Sequence, residues 1–464
     1  MAKWECIVCG YIYDEDKGDP EHGVAPGTKW DDVPESWLCP DCCVGKEDFE
    51  LIAGSETTAE DLAAEEAHKK DKPIVIIGSG LAGYNLVKEF RKENKETPIT
   101  IITSDDGRNY SKPMLSTGFT RNTTADALAM ADAGSMGTQF HCTVMTMAEV
   151  TAIDTEKQVI TIGGATHIDY SKLVIAWGAE VIRPPMNGDA LDKVFSINDL
   201  MDYAKFRSAI DAAGAKKIAI IGGGLIGCEF TNDLINGGFQ TETVDPMGHA
   251  LPTLLPEPAG KAVQKALEEK GAKFHFGPLP SGEFGPIATS VNKSGDGVAV
   301  SLNNGQTIQA DLVVSAVGVR PRTELAKAAG ITCNRGVVAN RYLETSAKNV
   351  YTLGDCAEVD GHVLFYVAPL MACARALAKT LNGTPTEVSY PAMPVTIKTP
   401  ACPVVVSPPP RDAQGSWNIK QLDEANVVAE FRDPQGNLLG FALTGAEGTK
   451  EKLNLQKQLP PIMA

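Results

Sequence analysis

The sequence contains no long apolar run and no excess of positive charge. None of its 464 residues lies in an uninterrupted apolar stretch of about 18, the length that a membrane-spanning helix requires. Its 42 Lys and Arg stand against 59 Asp and Glu, which gives a formal net charge of −17. These absences exclude an integral membrane protein and argue against binding to nucleic acid or anionic lipid. The GxSxG and HExxH motifs are also missing, which removes hydrolase interpretations.

The N terminus has neither the basic region nor the apolar core of a secretory signal. We therefore expect a cytoplasmic protein without structural disulfides and without direct membrane insertion. The chain nevertheless has 11 cysteines, of which 5 lie within the first 43 residues. Such crowding in a reducing compartment points to metal binding rather than to disulfides.

The length predicts about three compact units at roughly 150 residues per domain. A short aromatic-rich segment comes first, a stretch rich in Ala, Glu and Lys follows, and two strand–glycine loop–helix patterns come later. We predict a small metal-bound β/loop domain, an α/β protein with two dinucleotide-binding domains, and a C-terminal α+β domain. The predicted boundaries are 1–53 for the metal domain, 54–72 for a linker, 73–190 with 312–390 for the first dinucleotide domain, 191–311 for the second, and 391–464 for the C-terminal domain.

Two CxxC pairs, Cys6 with Cys9 and Cys39 with Cys42, are separated by 29 residues. Two such knuckles can close a tetrahedral sulfur cage around one metal ion. The spacing of the cysteines alone does not distinguish a zinc site from an iron site.

The residues around these knuckles, GYIYDEDKGDPEHGVAPGTKWDDVPESWLCPDC, resemble rubredoxin over residues 1–52. The resemblance implies one iron ion held by Cys6, Cys9, Cys39 and Cys42. Cys43 stands where rubredoxins usually carry glycine, and a side chain there costs about 1 kcal/mol if φ is positive. We interpret Cys43 as a bystander thiol, and the alternative is that it competes with Cys42 for the metal.

Two glycine loops each follow a β-branched strand and precede a helix, the context in which GxGxxG binds a pyrophosphate. An acid after the next strand is expected to bind the ribose. In the first domain this is Asp105, although the neighbouring Ser104 leaves the choice open, and in the second domain it is Asp245. Asp245 would repel a 2′-phosphate, which favours NADH over NADPH. The alternative is a glycine turn without a ligand. The six loop glycines are Gly78, Gly80, Gly83, Gly222, Gly224 and Gly227.

From Pro73 onward, the glycine loops occur together with DDGRNYSKPMLS, YSKLVIAWGAEVIRPP, SAVGVRP and VYTLGDCAE. This ordered set resembles the two-dinucleotide flavoprotein reductases, and more closely the NADH-dependent rubredoxin reductases of alkane-degrading bacteria. The resemblance implies FAD in the first domain and NADH in the second. Trp177 replaces the usual Thr of the ATG motif, while Gly178 is retained.

The resemblance also implies roles for charged residues. Lys112 would lie by the flavin N5, Lys398 by its pyrimidine side, Asp355 by the ribityl chain and Glu229 by the nicotinamide. The alternatives are solvated lysines, a helix-capping Asp355 and a Glu229 that is merely helical. We take Lys112, Glu229 and Lys398 as catalytic. The further predicted cofactor-binding residues are Pro113, Val150, Gly178, Gly354 and Gly318.

No CxxxxC or CxxC follows the first glycine loop, so electrons are expected to leave the flavin singly rather than through a dithiol. We therefore expect an electron-transfer flavoprotein that passes electrons from NADH through FAD to iron in the same chain. The iron domain would reduce an external acceptor, of which a membrane alkane hydroxylase is the family's commonest. One alternative is electron supply to an oxygen- or peroxide-detoxifying reductase, and another is an iron domain that is only a structural or docking module on a ferredoxin-type reductase. The acidity of the iron domain predicts a less acidic or basic partner surface.

Overall fold

A computed structural model describes residues 3–42, 44–51, 72–279 and 281–464. The predicted linker, apart from Lys72, and Cys43 lie outside the described residues. The chain divides into two compact units. Unit 1 comprises Met1–Pro113, Ala129–Glu180 and Arg320–Ser389, and unit 2 comprises Met114–Leu128, Val181–Val319 and Tyr390–Ala464.

The N-terminal module of unit 1, residues 3–51, is built on a three-stranded antiparallel sheet with aromatic packing. Trp30 stacks on Trp4 with ring centroids 5.0 Å apart and contacts Phe49 at 4.8 Å. Few aliphatic residues are available, so aromatic rings and the cysteine site supply the core. In sheet order the strands are Ile12–Asp14, Lys3–Cys6 and Phe49–Leu51, and the 3-10 turns are Pro20–His22, Trp30–Asp32 and Lys46–Asp48.

The main sheet of unit 1 is parallel and five-stranded. Its central strand Ile74–Ile77 is buried on both faces, as its continuous β-branched run predicts. Two helices, Leu81–Arg91 and Val367–Leu381, pack against each other. In sheet order the strands are Val350–Thr352, Lys172–Ile175, Ile74–Ile77, Ile99–Ile102 and Thr143–Met145.

Smaller elements complete unit 1. A three-stranded antiparallel sheet contributes Ile153 and Ile160 to the same core as the main sheet. Its strands are Val150–Asp154, Val159–Ile162 and Thr166–Asp169, the two-stranded sheets pair Asn109–Tyr110 with Ala129–Ala131 and Val337–Ala339 with Ala357–Val359, and the short helices are Ala133–Gln139, Glu324–Ala328 and the 3-10 turn Gly354–Cys356.

Unit 2 repeats the parallel arrangement around Lys217–Ile221, as the second glycine loop predicts. In sheet order its strands are Val194–Phe195, Leu312–Ser315, Lys217–Ile221, Gln240–Asp245 and Lys273–Phe276, the helices are Ala125–Leu128, Leu200–Ala213, Leu225–Asn236 and Glu257–Glu269, and an antiparallel sheet contains Ala288–Ser294, Gly297–Leu302 and Thr307–Ala310. The remaining short elements are the 3-10 segments Lys112–Thr117 and Leu191–Lys193 and a strand pair of Ala179–Val181 with Val319–Pro321.

The C-terminal part of unit 2 is a five-stranded antiparallel sheet covered by the helix Glu257–Glu269. Val263 and Leu267 of that helix share a buried core with Val427 and Ala442. In sheet order the strands are Val395–Ile397, Val404–Ser407, Leu438–Thr444, Val427–Arg432 and Ser416–Gln421, and the short helices Gly445–Gly448 and Lys452–Gln456, joined by the 3-10 turn Thr449–Glu451, follow.

These elements confirm the predicted fold class, while the predicted domain boundaries stay predictions. In the part of the chain that the structure describes, no helix combines the length and apolar character needed to cross a bilayer.

Candidate functional site

The four predicted metal ligands converge in the N-terminal module. The Sγ atoms of Cys6, Cys9, Cys39 and Cys42 all lie within 4.8 Å of one another. Cys6 Sγ is 3.6 Å from Cys42 Sγ, and Cys9 Sγ is 3.4 Å from Cys39 Sγ. Three of the four thiols are buried and Cys42 is half-buried. Four sulfur atoms at this spacing fit one tetrahedral metal ion.

Backbone hydrogen bonds shape the first knuckle. Gly10 N–H donates to the carbonyl of Cys6 at 2.8 Å, and the positive φ of Gly10, 76°, closes the turn. Hydrogen bonds among the thiols, first with Cys39, raise the pKa of the Cys42 thiol. A bound cation reverses such a shift because it stabilises thiolates, so the crowding suits a metal site.

The first glycine loop has the geometry of a pyrophosphate cradle. A Cβ on Gly78, whose φ is 117°, would overlap the carbonyl of Ala176, and one on Gly83 would overlap the carbonyl of Gly78. A Cβ on Gly80 would meet nothing within 4 Å. Gly80 also caps the helix Leu81–Arg91 without a side-chain hydrogen bond. Two glycines therefore permit close packing, and the third leaves space beside the helix N-terminus for a phosphate.

Asp105 lies beside this loop, after the strand Ile99–Ile102. Its Oδ1 accepts hydrogen bonds from Thr103 Oγ1 at 2.7 Å, from Gly107 N at 2.9 Å and from Ser79 Oγ at 3.1 Å. Ser79 and Thr103 were not identified from the sequence, since small hydroxyl residues carry no pattern of their own. The proposed contact of Asp105 with a ribose stays a prediction.

The second loop in unit 2 repeats the arrangement. Gly222 has a φ of 109°, a Cβ on Gly227 would overlap the carbonyl of Gly222, and a Cβ on Gly224 would meet nothing within 4 Å. Asp245 Oδ2 accepts from Gly223 N at 2.7 Å, and its Oδ1 accepts from Met247 N at 2.9 Å. The predicted ribose acid is therefore fixed at the edge of the loop, as a dinucleotide site requires.

Lys112 and Asp355, both predicted to contact the flavin, lie together in unit 1. Their Nζ and Oδ2 atoms are 3.9 Å apart. Burial raises the pKa of the Asp355 carboxyl, and Lys112 opposes this shift. Beside them, Ser111 Oγ is buried without a hydrogen-bond partner among the described residues. A buried hydroxyl of this kind fits a site that a polar cofactor completes.

The other predicted cofactor residues occupy loops and strand ends. Gly178, Gly318 and Gly354 have positive φ values of 69°, 112° and 79°. Pro113 follows Lys112 directly, and Val150 begins the strand Val150–Asp154. Their contacts with a cofactor stay predictions. The unusual Trp177 donates from Nε1 to the carbonyl of Arg322 at 2.9 Å, which accounts for its packing.

Glu229 and Lys398, for which separate roles were expected, form an ion pair in unit 2 with a buried carboxylate. Lys398 Nζ lies 2.9 Å from Oε1 and 2.8 Å from Oε2 of Glu229, and the Lys398 backbone N–H donates to Oε1 at 2.9 Å. Ser116 Oγ donates to Oε2 at 2.6 Å. Glu229 is 1% exposed. Sequence reasoning missed both the pair and Ser116, because the three lie far apart along the chain.

Three cysteines outside the N-terminal module, Cys142, Cys228 and Cys356, lack the character of redox thiols. Burial raises the pKa of the Cys228 thiol to about 12 and those of Cys142 and Cys356 to about 11. Such thiols stay protonated at neutral pH and behave as small apolar residues.

Family comparisons agree with this geometry. Residues 72–378 match the family described as Pyridine nucleotide-disulphide oxidoreductase, residues 3–49 match Rubredoxin, and residues 387–459 match Rubredoxin binding C-terminal domain. The predictions of FAD, NADH and one four-cysteine iron site are confirmed by these matches together with the sulfur cluster.

Individual relatives agree as well. The chain is 55% identical to a rubredoxin-NAD(+) reductase of Alcanivorax borkumensis over 84% of this chain and 99% of the relative. It is 36% identical to a nitric oxide reductase FlRd-NAD(+) reductase of Aliivibrio fischeri over 83% and 98%. The solved NADH:rubredoxin oxidoreductase from Clostridium acetobutylicum shares the fold, with a TM-score of 0.68, 21% identity and coverage of 84% and 96%.

The predicted resemblance and the predicted rubredoxin-reductase class of enzyme are thereby confirmed. The chain belongs to the pyridine nucleotide-disulphide oxidoreductase family and carries a rubredoxin domain and a rubredoxin-binding C-terminal domain in the same polypeptide.

Proposed function

We propose that the chain is an NADH:rubredoxin oxidoreductase whose own rubredoxin domain is the first electron acceptor. The observation that carries this proposal is the presence, in one chain, of two dinucleotide loops and one cluster of four thiols. FAD, when bound, would supply hydride acceptance from NADH and one-electron donation. Each NADH becomes NAD⁺ and a proton and gives up two electrons, so the iron at the four-cysteine site would be reduced twice per NADH, with reoxidation by the external acceptor in between.

The residues of this chain bind and orient the reactants. The free N–H groups at the starts of the helices Leu81–Arg91 and Leu225–Asn236 would hold the two pyrophosphates. Lys112, 3.9 Å from Asp355, is a cation suited to stabilising negative charge on a reduced flavin. Lys398 Nζ lies 2.8 Å from Glu229 Oε2 and holds the carboxylate in place, which we propose positions it for the nicotinamide.

Two further features support single-electron delivery. The sequence has no CxxxxC after the first glycine loop, and burial raises the pKa values of the thiols of Cys142, Cys228 and Cys356, although Cys142 is only half-buried. A thiol relay is therefore not available from these residues, and the four-cysteine centre is the natural one-electron acceptor.

An anaerobic titration tests this function. The purified protein should contain one iron and one FAD, and NADH should bleach both the flavin absorption and the thiolate-to-iron absorption. Cys42→Ser should abolish the iron signal and leave flavin reduction unchanged, while Cys142→Ser, at a half-buried cysteine outside the cluster, should behave like the wild type. Zinc in place of iron, or iron that NADH does not reduce, would refute the proposal.

For the external acceptor we propose a membrane alkane hydroxylase, with the chain acting in the cytoplasm. The resemblance to rubredoxin reductases of alkane-degrading bacteria supports this choice. The second candidate is a detoxifying reductase, which is supported by the 36% identity to a nitric oxide reductase FlRd-NAD(+) reductase. Reduced protein should be mixed with vesicles holding a diiron hydroxylase and, separately, with a flavodiiron reductase. Faster reoxidation by the hydroxylase supports the first, and faster reoxidation by the flavodiiron protein supports the second.

A further inference from the structure

Two helices of unit 1, Leu81–Arg91 and Val367–Leu381, are covered on faces that a surface helix normally leaves in water. Nine of the 11 residues of the first helix are buried. The outward stripe of the second helix consists of Ala368, Ala372, Arg375 and Lys379, of which only Lys379 is exposed. Since a helix packed on a sheet ordinarily keeps a solvated polar face, a neighbouring part of unit 1 covers this stripe.

Arg375 shows which part this is. One of its guanidinium nitrogens, Nη1, donates to Asp48 Oδ1 of the N-terminal module at 2.6 Å, and the other, Nη2, lies 4.0 Å from Glu47 Oε1. The Arg375 side chain is 31% exposed and that of Asp48 only 3%. The carbonyl of Asp48 accepts the N–H of Ile7 at 2.9 Å, and Ile7 lies between Cys6 and Cys9. The ion pair is therefore one hydrogen bond away from the first metal knuckle.

Two other observations place the same partners near each other. Burial lowers the pKa of Lys88, on the helix Leu81–Arg91, while the carboxylates of Glu50 and Glu5 in the module oppose this shift. A Cβ on Gly10, which follows Cys9 directly, would lie 3.5 Å from Met130 Sδ. Arg375 therefore contacts the module directly, and Met130 and Lys88 lie near the same face, which contains the first knuckle.

We infer that Lys88, Met130 and Arg375 form a docking surface for the N-terminal module of this chain, which opposite charges hold with its Cys6–Cys9 knuckle against the first dinucleotide-binding domain. This inference rests on the proposed function. It adds a surface that the family match does not assign, because rubredoxin binding there is attributed to residues 387–459. Lys88 is eight residues beyond Gly80, about 12 Å along its helix from the end proposed to hold the pyrophosphate of FAD.

The character of the surface suits a reversible contact. Arg375 is 31% exposed and Glu47 59% exposed, although Asp48 is buried, so solvent reaches one side of each ion pair and salt weakens the attraction. The module can therefore be loaded with an electron while docked and then leave the surface to meet an acceptor.

Hydrogen exchange on the full chain loaded with iron and FAD tests the docking surface without an activity assay. In Arg375→Glu, amide exchange in residues 5–10, 46–50 and 84–91 should rise about tenfold over the wild type at low salt. Asp48→Asn should cause a smaller rise in the same segments. Lys379→Glu, an equal charge reversal at the exposed end of the same stripe, should leave exchange unchanged. Raising the ionic strength from about 0.05 M to about 0.5 M should reproduce the Arg375→Glu pattern in the wild type.

Unchanged exchange in Arg375→Glu, or equal effects of Arg375→Glu and Lys379→Glu, would overturn the docking surface. If a variant fails to retain iron, the salt titration of the wild type still tests the docking surface. A hydrogen-exchange pattern that does not change with salt would also overturn the docking surface. If the exchange results are as expected but NADH never reduces the iron, the proposed function fails while the docking surface stands.

Discussion

Glu229 is a carboxylate that is 1% exposed and accepts hydrogen bonds from Lys398 and Ser116. A buried charge of this kind is tolerated because its partners replace the water that it lost. The ion pair therefore matters to stability mainly because a buried carboxylate without a partner would be costly, and less because the pair itself gives a net gain.

Lys398→Met should consequently destabilise the protein by about 3 kcal/mol, because it leaves the Glu229 carboxylate buried without a countercharge. The double variant Glu229→Gln with Lys398→Met should recover much of this loss. Denaturant unfolding measures the free energy of unfolding of the single and the double variant. Lys420→Met, at an exposed strand position, is the control. Equal destabilisation by the single and double variants would show that the charge pairing is unimportant.

Asp245 holds the second glycine loop through two backbone N–H groups, those of Gly223 and Met247. Asp245→Asn keeps an acceptor for one of them and removes the negative charge that would repel a 2′-phosphate. The ratio of kcat/KM for NADH to that for NADPH should fall about tenfold. Asp211→Asn, at an exposed helix position, serves as the control. A wild-type protein that uses NADH and NADPH equally well would disprove the role of Asp245 in selecting NADH.

At the scale of elements, the strand–loop–helix units carry the binding function, and the glycines within one loop have different tasks. Gly80→Ala adds a Cβ that meets no protein atom within 4 Å, whereas Gly83→Ala adds one that overlaps the carbonyl of Gly78. Gly80→Ala should therefore fold normally and lose FAD, while Gly83→Ala should lower the melting temperature as well. Flavin content and thermal unfolding distinguish the two, and normal FAD retention in Gly80→Ala would argue against a pyrophosphate beside it.

The sequence predicted these elements well where a local pattern determines them. The β-branched run before each glycine loop became a buried strand, with only Lys217 of the second strand partly exposed, and the helix Val367–Leu381 contains a proline near its start. Pro369 lies within its first turn, where a missing N–H costs nothing.

Contacts between distant segments could not be predicted in the same way. The Glu229–Lys398 pair joins a helix to a loop 169 residues away, and Arg375 meets Asp48 across 327 residues. The predicted basic partner surface stays a prediction, and Lys88 and Arg375 of the proposed docking surface would supply its positive charge. Arg375 pairs with Asp48 and lies 4.0 Å from Glu47, because side-chain placement rather than net charge selects the contacting carboxylates.

At the scale of the whole molecule, electron transfer within one chain depends on the covalent fusion of the iron module to its reductase. The predicted linker lies outside the described residues, and covalent attachment would hold the module at an effective concentration in the mM range. At that concentration a weak ionic contact suffices, so electron transfer need not wait for an encounter between molecules.

Anaerobic stopped-flow spectroscopy of the loaded protein mixed with excess NADH tests this claim most directly. The flavin and iron absorptions are followed over about a tenfold range of protein concentration. If each chain reduces its own iron, iron reduction should follow flavin reduction with a first-order rate constant that does not change with protein concentration. A rate constant that rises in proportion to protein concentration would show transfer between molecules, and would contradict the claim that each chain reduces its own iron.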